Sequence, residues 1–186
     1  MLEPMLATLA DAPLQHPGFV YEPKYDGIRA IVEIPAGGKG VKLWSRLGNE
    51  KTSQFPEVTA ALTAWAARRK DALVLDGELV ALDPDGRPAG FQQLQGRIHV
   101  LDMVKGRRVK PAGAKARAVS AAPPPPTPTA FIAFDVLRIG DRDLRSLPLT
   151  ARRAQLETLL SKPTPTIRLS EQAAGDGQAL HARALA

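Results

Sequence analysis

The stretch YEPKYDGIRA, residues 21–30, places a lysine, an aspartate, a glycine and an arginine between two apolar runs. The flanking segments, 18–24 and 28–34, have the apolar content of half-buried strands, and Asp-Gly is a frequent turn between paired strands. The sequence therefore predicts a strand pair that turns around YDG. Charged side chains are costly at such a turn unless they bind something, so this segment is the first candidate for a functional site.

Composition limits the classes of protein that fit this chain. With 186 residues and 44% hydrophobic content, it forms one ordinary domain or the larger part of one. It has no cysteine, which excludes a disulfide framework, a thiolate zinc site and a cysteine nucleophile. The net charge of +6 suits a polyanionic partner such as nucleic acid, and it is also common in proteins without one. No apolar run approaches the ~20 residues of a membrane helix and no signal peptide is evident, so we predict a cytoplasmic protein, nucleoid-associated if bacterial.

Strands and helices do not alternate regularly, which favours an α+β fold with largely antiparallel sheets. The first predicted helix places Val58, Leu62 and Trp65 on one face and three basic residues, 68–70, at its end. A second predicted helix is buried through Leu156, Leu159 and Leu160. The predicted elements after the first strand pair are strands at 41–46 and from 72 into a Pro-Asp-Gly turn, a helix at 53–70, a strand at 131–140, a helix at 149–162, a short strand at 166–170, and a helix from 176.

Residues 105–129 are rich in proline, alanine and basic residues and contain no aromatic side chain. Such a segment cannot bury enough apolar surface to offset the entropy lost on ordering. We expect a flexible surface insert rather than a domain. Its basic charges could lie near nucleic-acid phosphates, but a solvated linker is the simpler interpretation.

The strand in LVLDGELVAL, residues 73–82, carries a candidate metal site. Side chains alternate along a strand, so Asp76 and Glu78 share one face, and the other face carries Leu73, Leu75, Leu79 and Ala81. Two carboxylates on one face suit Mg²⁺, which prefers oxygen ligands. The alternative is an edge strand with a solvated face. The three histidines, His16, His99 and His181, have no metal-ligand spacing and are expected at the surface.

Four blocks, in sequence order, resemble the ATP-dependent DNA ligases, members of the covalent nucleotidyltransferases, and especially the ligase modules of bacterial end-joining enzymes. The resemblance implies an antiparallel-sheet nucleotidyltransferase (adenylation) domain of the DNA ligase type. The blocks are EPKYDGIR (22–29), LWSRLGNEKTSQFPEV (43–58), LVLDGELVALDPDGRPAGFQQLQGR (73–97) and FIAFDVLRIGDRDLRSLPLTARRAQLETLL (131–160).

The first two blocks carry residues that the resemblance assigns to nucleotide binding. Lys24 matches the nucleophile that attacks the α-phosphate of ATP and forms lysyl-AMP, and Glu22 matches the residue that reads the adenine amino group. Arg29 and Arg46 match arginines that contact the nucleotide and later the nick phosphate. Asp26 belongs to the same motif, and shaping the turn is its alternative role. A lysine attacks only as the neutral amine, which a positive neighbourhood favours.

The later blocks supply the metal and the base-stacking residue. Glu78 matches the acidic residue that serves the ribose and the metal, with Asp76 as a second candidate metal ligand. Phe134 matches the ring stacked on adenine, although Phe131, Ile132 and Phe134 could all be ordinary core. For Arg46, a solvent-facing basic stripe is the alternative.

The resemblance implies ATP and Mg²⁺ (or Mn²⁺) as cofactors, nicked or broken double-stranded DNA as substrate, end-joining proteins as candidate partners, and no membrane. The family's Glu-Gly block, later lysine pair and OB-fold domain do not occur within these residues. We therefore expect residues 1–186 to be the N-terminal part of an adenylation domain, incomplete at its C-terminus, with weak or no sealing alone. The alternatives are a capping-type or RNA-ligase nucleotidyltransferase, or a non-catalytic nucleotide- or DNA-binding remnant.

Overall fold

The computed structural model describes residues 4–95, 97 and 127–185 and has the mixed composition predicted. Three α-helices are described, namely α1 (Pro56–Ala66), α2 (Leu149–Leu159) and α3 (Gln178–Leu185). The strands are β1 (Gln15–Tyr21), β2 (Ile28–Ile34), β3 (Lys42–Ser45), β4 (Leu73–Leu82), β5 (Pro88–Ala89), β6 (Thr129–Ile139), β7 (Arg142–Asp143), β8 (Ile167–Leu169) and β9 (Ala173–Asp176).

Within the described residues, seven strands form one curled sheet in the order β3-β2-β4-β6-β7, with β5 beside β4 and β8 beside β6. The neighbours are antiparallel except for β6 and β8, which run parallel. The predicted α+β fold with largely antiparallel pairing is confirmed. β4 has neighbours on both sides, so the edge-strand alternative for residues 73–82 is wrong.

The predicted hairpin around YDG is wrong. β1 pairs with β9 in a separate two-stranded sheet, while β2 pairs with β3 and β4. Residues 22–26 lie outside strands and connect the two sheets. The Asp-Gly signal misled because Gly27 does not have the positive φ that a tight hairpin turn requires.

The two faces of the larger sheet differ in character. One face packs against α1 and α2 and forms the main core, which includes Leu73, Leu75 and Leu79. The opposite face has small apolar clusters at its two ends, around Val74 and Val80, and charged residues between them. The predicted alternation along β4 is confirmed. It places charged residues, including Asp76 and Glu78, between the two apolar clusters, and we call this region the polar strip.

Helix α1 is shorter than the predicted helix at 53–70. It begins at Pro56, which fits the first helical turn because its missing N–H would be unpaired there anyway. It ends at Ala66, so Arg69 lies beyond it, stacks over the Trp65 ring at 3.8 Å and donates to the Leu159 carbonyl. Val58 and Leu62 are buried as predicted, and Trp65 is half-buried.

Helix α2 buries two arginines that the sequence interpretation passed over. Leu156 and Leu160 are buried as predicted, and Leu159 is only partly buried. Arg152 lies on the same face and binds both carboxylate oxygens of Asp135, at 2.9 Å each for Nε to Oδ1 and Nη2 to Oδ2. A buried bidentate pair of this kind fixes the helix against β6.

Several predicted boundaries need adjustment. The strand predicted at 41–46 ends at Ser45, and the helix predicted from 176 begins at Gln178. Most of the insert predicted at 105–129 lies outside the described residues, although Thr129 is buried and begins β6. Within the described part of the chain, no helix is both long and apolar enough to cross a membrane.

Candidate active site

The segment that carries Lys24 is an extended connection held against β4. Lys24 is exposed, and the Gly27 N–H lies close enough to the Glu78 carboxyl group to lower its pKa. A Cβ added to Gly27 would lie 2.2 Å from the Leu79 carbonyl oxygen, a distance that no side chain tolerates. Glycine is therefore required here for close approach of two backbones.

Asp26 anchors the same segment from the other side. Its Oδ2 accepts a hydrogen bond from the Phe91 N–H at 3.0 Å, which ties the connection to the short helical turn after β5. This contact supports the turn-shaping alternative for Asp26. With Gly27 packed on β4 and Asp26 tied to Phe91, the exposed Lys24 side chain projects from a backbone fixed at its C-terminal side.

The polar strip, between the two apolar clusters of the sheet face, contains Arg29, Asp76 and Glu78. Arg29 Nε lies 3.0 Å from Asp76 Oδ1, and Arg29 Nη2 lies 2.7 Å from Asp76 Oδ2. Asp76 is 1% exposed, and its burial raises its pKa while the bound Arg29 opposes that rise. Arg29 is paired opposite Glu78 across β2 and β4. The polar strip therefore contains one ion pair, between Arg29 and Asp76, and beside it a second carboxyl group, that of Glu78.

Glu78 has the most perturbed acid–base behaviour in the strip. Burial raises its pKa to about 7, against the lowering effects of Arg29, the Gly27 N–H and Lys24. Lys24 is thus close enough for its charge to act on this carboxyl group. A carboxyl group that titrates near neutral pH beside a lysine and an arginine is typical of a functional site.

This shift predicts a pH-dependent effect of Glu78→Gln on stability. The folded chain keeps the Glu78 proton up to about pH 7, whereas the unfolded chain loses it near the ordinary value of 4.5. The native state therefore binds more protons in that window, and stability falls as pH rises through it. We expect the glutamine variant to gain a few °C, at roughly 2–4 °C per kcal/mol, above pH 7 and less at pH 5. Thermal unfolding in metal-free buffer measures the difference, and a gap that shrinks as pH rises would contradict it.

Phe134 lies at an irregularity in β6. Asp76 pairs with Asp135 and Gly77 with Ala133, so Phe134 is the extra residue of a bulge. Its side chain is half-buried, whereas Phe131 is fully buried. The Arg29 guanidinium carbon lies 5.4 Å from the Phe134 ring centroid. The structure therefore separates Phe134 from the ordinary core and places it beside the polar strip.

The Glu22 carboxylate is held by hydrogen bonds from Arg153 on α2 and from Gln172. Its Oε1 accepts hydrogen bonds from Arg153 Nη1 at 3.2 Å and from Gln172 Nε2 at 3.4 Å. Burial raises the pKa of Glu22, Arg153 lowers it, and the negative charge of Asp135 raises it again. Arg153 also donates to the Ser170 carbonyl, and the Ser170 N–H donates to the Ala133 carbonyl beside Phe134, so these hydrogen bonds connect Glu22 to the bulge.

Arg46 directly follows Ser45, which pairs with Ala30, so it lies near the end of β2 that carries Arg29. It is exposed in the turn after β3, which is the outermost strand of the sheet, and not on the strand with Lys42 and Trp44. No hydrogen bond or ion pair joins it to another described residue. Its assigned role in nucleotide binding stays a prediction.

Of the two predicted metal ligands, Asp76 and Glu78, only Glu78 is placed to bind a magnesium ion. Both oxygens of Asp76 bind Arg29, and no group of three or more candidate metal ligands occurs among the described residues. Mg²⁺ is commonly held by one or two carboxylates together with substrate phosphates, so Glu78 alone is a sufficient protein ligand. His16 and His181 are exposed, as predicted, and His99 lies outside the described residues.

A cleft of about 400 Å³ lies elsewhere, between the ends of α1 and α2. It is lined by Arg68, Arg69, Lys70 and Leu159 among others, and it shares no residue with the site above. The Arg69 contact with the Leu159 carbonyl satisfies an acceptor at the end of α2. We therefore assign this cleft to helix packing rather than to the site.

Arg152 and Arg153 are the residues around the site that sequence reasoning missed. A signal was available, because Arg152 precedes Leu156 by four residues and Arg153 precedes Leu160 by seven, which places both on the buried face. Charged residues on the apolar face of a helix are almost never buried without partners. The pattern could have flagged them as paired, but it does not say with which residue.

Comparison with known proteins identifies the family. The family described as "ATP dependent DNA ligase domain" matches residues 4–184, so the chain belongs to the ATP-dependent DNA ligase family. The chain is 38% identical over 164 residues to a probable DNA ligase of Streptomyces coelicolor. The aligned region covers 86% of this chain and 28% of that protein. It is 39% identical over 155 residues to DNA ligase C2 of Mycolicibacterium smegmatis, covering 83% of this chain and 37% of the relative.

Solved structures agree on the fold. The ligase domain of LigD from M. tuberculosis superposes with a TM-score of 0.69 at 30% identity, over 99% of this chain and 50% of that one. A mycobacterial DNA ligase D complexed with ATP and MES gives the same TM-score at 32% identity, with the same coverage. The chain thus spans about a third of the length of these curated relatives and half of these solved chains.

Proposed function

We propose that this chain is the N-terminal part of a ligase adenylation domain and that it forms a covalent adenylate on Lys24. The observation that carries the proposal is the convergence on Glu78: Gly27 packs against it, with a Cβ position 3.0 Å from Glu78 Cγ, Arg29 pairs opposite it across β2 and β4, and the charge of Lys24 lowers its pKa. Family membership and the ATP-bound neighbour support ATP as the nucleotide.

The base would lie between Phe134 and Glu22. The half-exposed Phe134 ring offers a face for stacking, and the Glu22 carboxylate offers an acceptor for the adenine amino group. Arg29 is rigid because Asp76 holds it bidentately, so its charge is fixed before a phosphate arrives. Preorganised charges of this kind lower the barrier because they need no reorientation during the reaction.

The chemical step is a phosphoryl transfer. The neutral amine of Lys24 attacks the α-phosphorus in line, the bond to the bridging oxygen of the β-phosphate breaks, pyrophosphate leaves with the electron pair, and the new phosphoramidate nitrogen releases one proton to solvent. Fixing the backbone at Asp26 and Gly27 limits where the lysine can reach, which favours attack from one direction. A magnesium ion bound at Glu78 would neutralise phosphate charge.

In the whole ligase, AMP would pass from Lys24 to the 5′-phosphate of a nicked or broken duplex. The adjacent 3′-hydroxyl would then displace AMP and join the strands. The net charge of +6 suits the approach of a DNA backbone. End-joining proteins and the bacterial nucleoid are the partners and location that fit this activity.

Labelling with nucleotides tests the proposed function. The chain is incubated with Mg²⁺ and either ATP or GTP labelled in the α-phosphate, and acid-labile label on the protein is followed with time. We expect ATP to give at least about tenfold more label than GTP, because Glu22 accepts from an amino group and would repel the guanine 6-oxygen. Equal or greater labelling by GTP would favour a capping-type enzyme, and no label from either nucleotide would overturn the adenylate proposal.

A further inference from the structure

Arg153 joins three parts of the molecule through one buried guanidinium. The residue lies on α2 and is 6% exposed. Its Nη1 donates to Glu22 Oε1 at 3.2 Å, its Nε to Glu157 Oε1 at 2.8 Å, and its Nη2 to the Ser170 carbonyl at 2.6 Å. The side chain is therefore fixed by partners on the β1–β2 connection, on its own helix, and after β8.

Two of these contacts anchor Arg153 and the third acts on Glu22. The Ser170 N–H donates to the Ala133 carbonyl, one residue before Phe134, so the Arg153–Ser170 contact is tied to β6. Glu157 lies one helical turn beyond Arg153 and neutralises part of its charge. With Nε and Nη2 engaged in this way, Nη1 is held at one position, and that position is at Glu22.

The hydrogen bonds leave one oxygen of Glu22 available. Within the described residues, Arg153 and Gln172 both donate to Oε1, and no hydrogen bond to Oε2 is present. An ionised carboxylate is an acceptor only, so Oε2 suits an N–H donor and disfavours a carbonyl oxygen. The 6-amino group of adenine is such a donor.

We propose that Arg153 is a positioning residue that sets the choice of base: it holds Glu22 ionised and turned so that Oε2 accepts the adenine 6-amino group. The inference rests on the proposed function, because it takes Glu22 as the residue beside the base. It assigns the specificity to a pair, Glu22 and Arg153, that joins residues 131 positions apart in the sequence. Arg153 touches no nucleotide in this arrangement and acts through Glu22.

The physical reason is charge as well as orientation. Without Arg153, the Glu22 side chain, which is 27% exposed, loses its ion-pair partner and keeps the burial and the Asp135 charge, both of which raise its pKa. The carboxyl group would then spend more time protonated and free to rotate, and a protonated carboxyl group can donate to a 6-oxo base as well as accept. Discrimination between bases should fall, even where overall nucleotide binding survives.

The test compares two nucleotides that differ at one position of the base. Binding of ATP and of purine riboside triphosphate, which lacks the 6-amino group, is measured by competition against a fluorescent ATP analogue. We expect the wild-type chain to prefer ATP by about 10- to 100-fold, the range for a hydrogen bond to a charged acceptor. Glu22→Ala and Arg153→Gln should both bring this ratio close to one, and the double variant should show no further loss.

Glu157→Gln is the matched control, because the glutamine oxygen can still accept from Arg153 Nε and anchor it, while the charge of Glu157 is removed and Glu22 is unchanged. It should keep most of the preference for ATP. Thermal unfolding of each variant checks folding, and if Arg153→Gln does not fold, Arg153→Lys decides. A lysine keeps the charge but has one nitrogen in place of a fork that spans three acceptors, so the ratio should fall below wild type.

The outcomes separate the inference from the function on which it rests. A folded Arg153 variant that weakens both nucleotides equally would show a merely structural role and overturn the inference, with the proposed function intact. The same holds if Glu157→Gln loses the preference as fully as Arg153→Gln. A wild-type chain that binds both nucleotides equally would remove the role of Glu22, and the inference with it, while a wild-type chain that takes no AMP label would overturn the proposed function.

Discussion

Lys24→Ala is expected to lose all covalent AMP label while the fold and the non-covalent binding of ATP remain. The side chain is exposed and makes no hydrogen bond or ion pair with another described residue, so its removal leaves no cavity and no unpaired buried group. The thermal midpoint should therefore stay within about 2 °C of wild type. ATP affinity should change by less than about tenfold, because an exposed charge contributes on the order of 1 kcal/mol.

Lys162→Ala is the control for Lys24→Ala, since Lys162 is also exposed but lines a second cleft, next to the one between the ends of α1 and α2. It should label like wild type. The separation of label from binding distinguishes a nucleophile from a binding lysine. A Lys24→Ala variant that still takes up label at the wild-type rate would show that another residue is the nucleophile.

Gly27→Ala is expected to slow adenylate formation by roughly 10²-fold, the effect of displacing a reacting group by about 1 Å. The added Cβ would lie 2.2 Å from the Leu79 carbonyl oxygen and 3.0 Å from Glu78 Cγ, so the connection must move away from β4. That movement takes the Gly27 N–H away from the Glu78 carboxyl group and shifts Lys24. Overpacking of this kind also costs about 1–3 kcal/mol of stability.

Gly18→Ala is a matched control for the loss of a glycine. Its added Cβ would meet only the His16 side chain, at 3.3 Å, and its φ suits an ordinary residue. We expect unchanged labelling and little change in the thermal midpoint. If Gly27→Ala labels as fast as Gly18→Ala, close packing on Leu79 does not position Lys24.

The sequence was most informative where structure follows from local periodicity. β4 shows this, because alternation alone separates Asp76 and Glu78 from Leu73, Leu75 and Leu79 on the other face. The same local reasoning located α1 and α2 to within a few residues, since Pro56 and the leucine spacing are signals within one element. The resemblance supplied what periodicity cannot, namely which of these residues meet a nucleotide.

The errors arose where contacts are distant in sequence. The partner of β1 is β9, more than 150 residues later, so no local pattern could replace the expected pairing with β2. The sequence indicated a turn at Gly27 because an aspartate precedes it. In the fold, glycine is required there because the backbone packs against the Leu79 carbonyl, 52 residues away. The pairing of Arg153 with Glu22 likewise depends on the completed fold.

The most direct test of the central claim is to locate the covalent AMP on the chain. The protein is incubated with ATP and Mg²⁺, digested under neutral or alkaline conditions that preserve a phosphoramidate, and its peptides are sequenced by tandem mass spectrometry. We expect the added AMP on Lys24, in the peptide that contains YEPKYDGIR. AMP on a different lysine, or spread over several, would contradict this expectation.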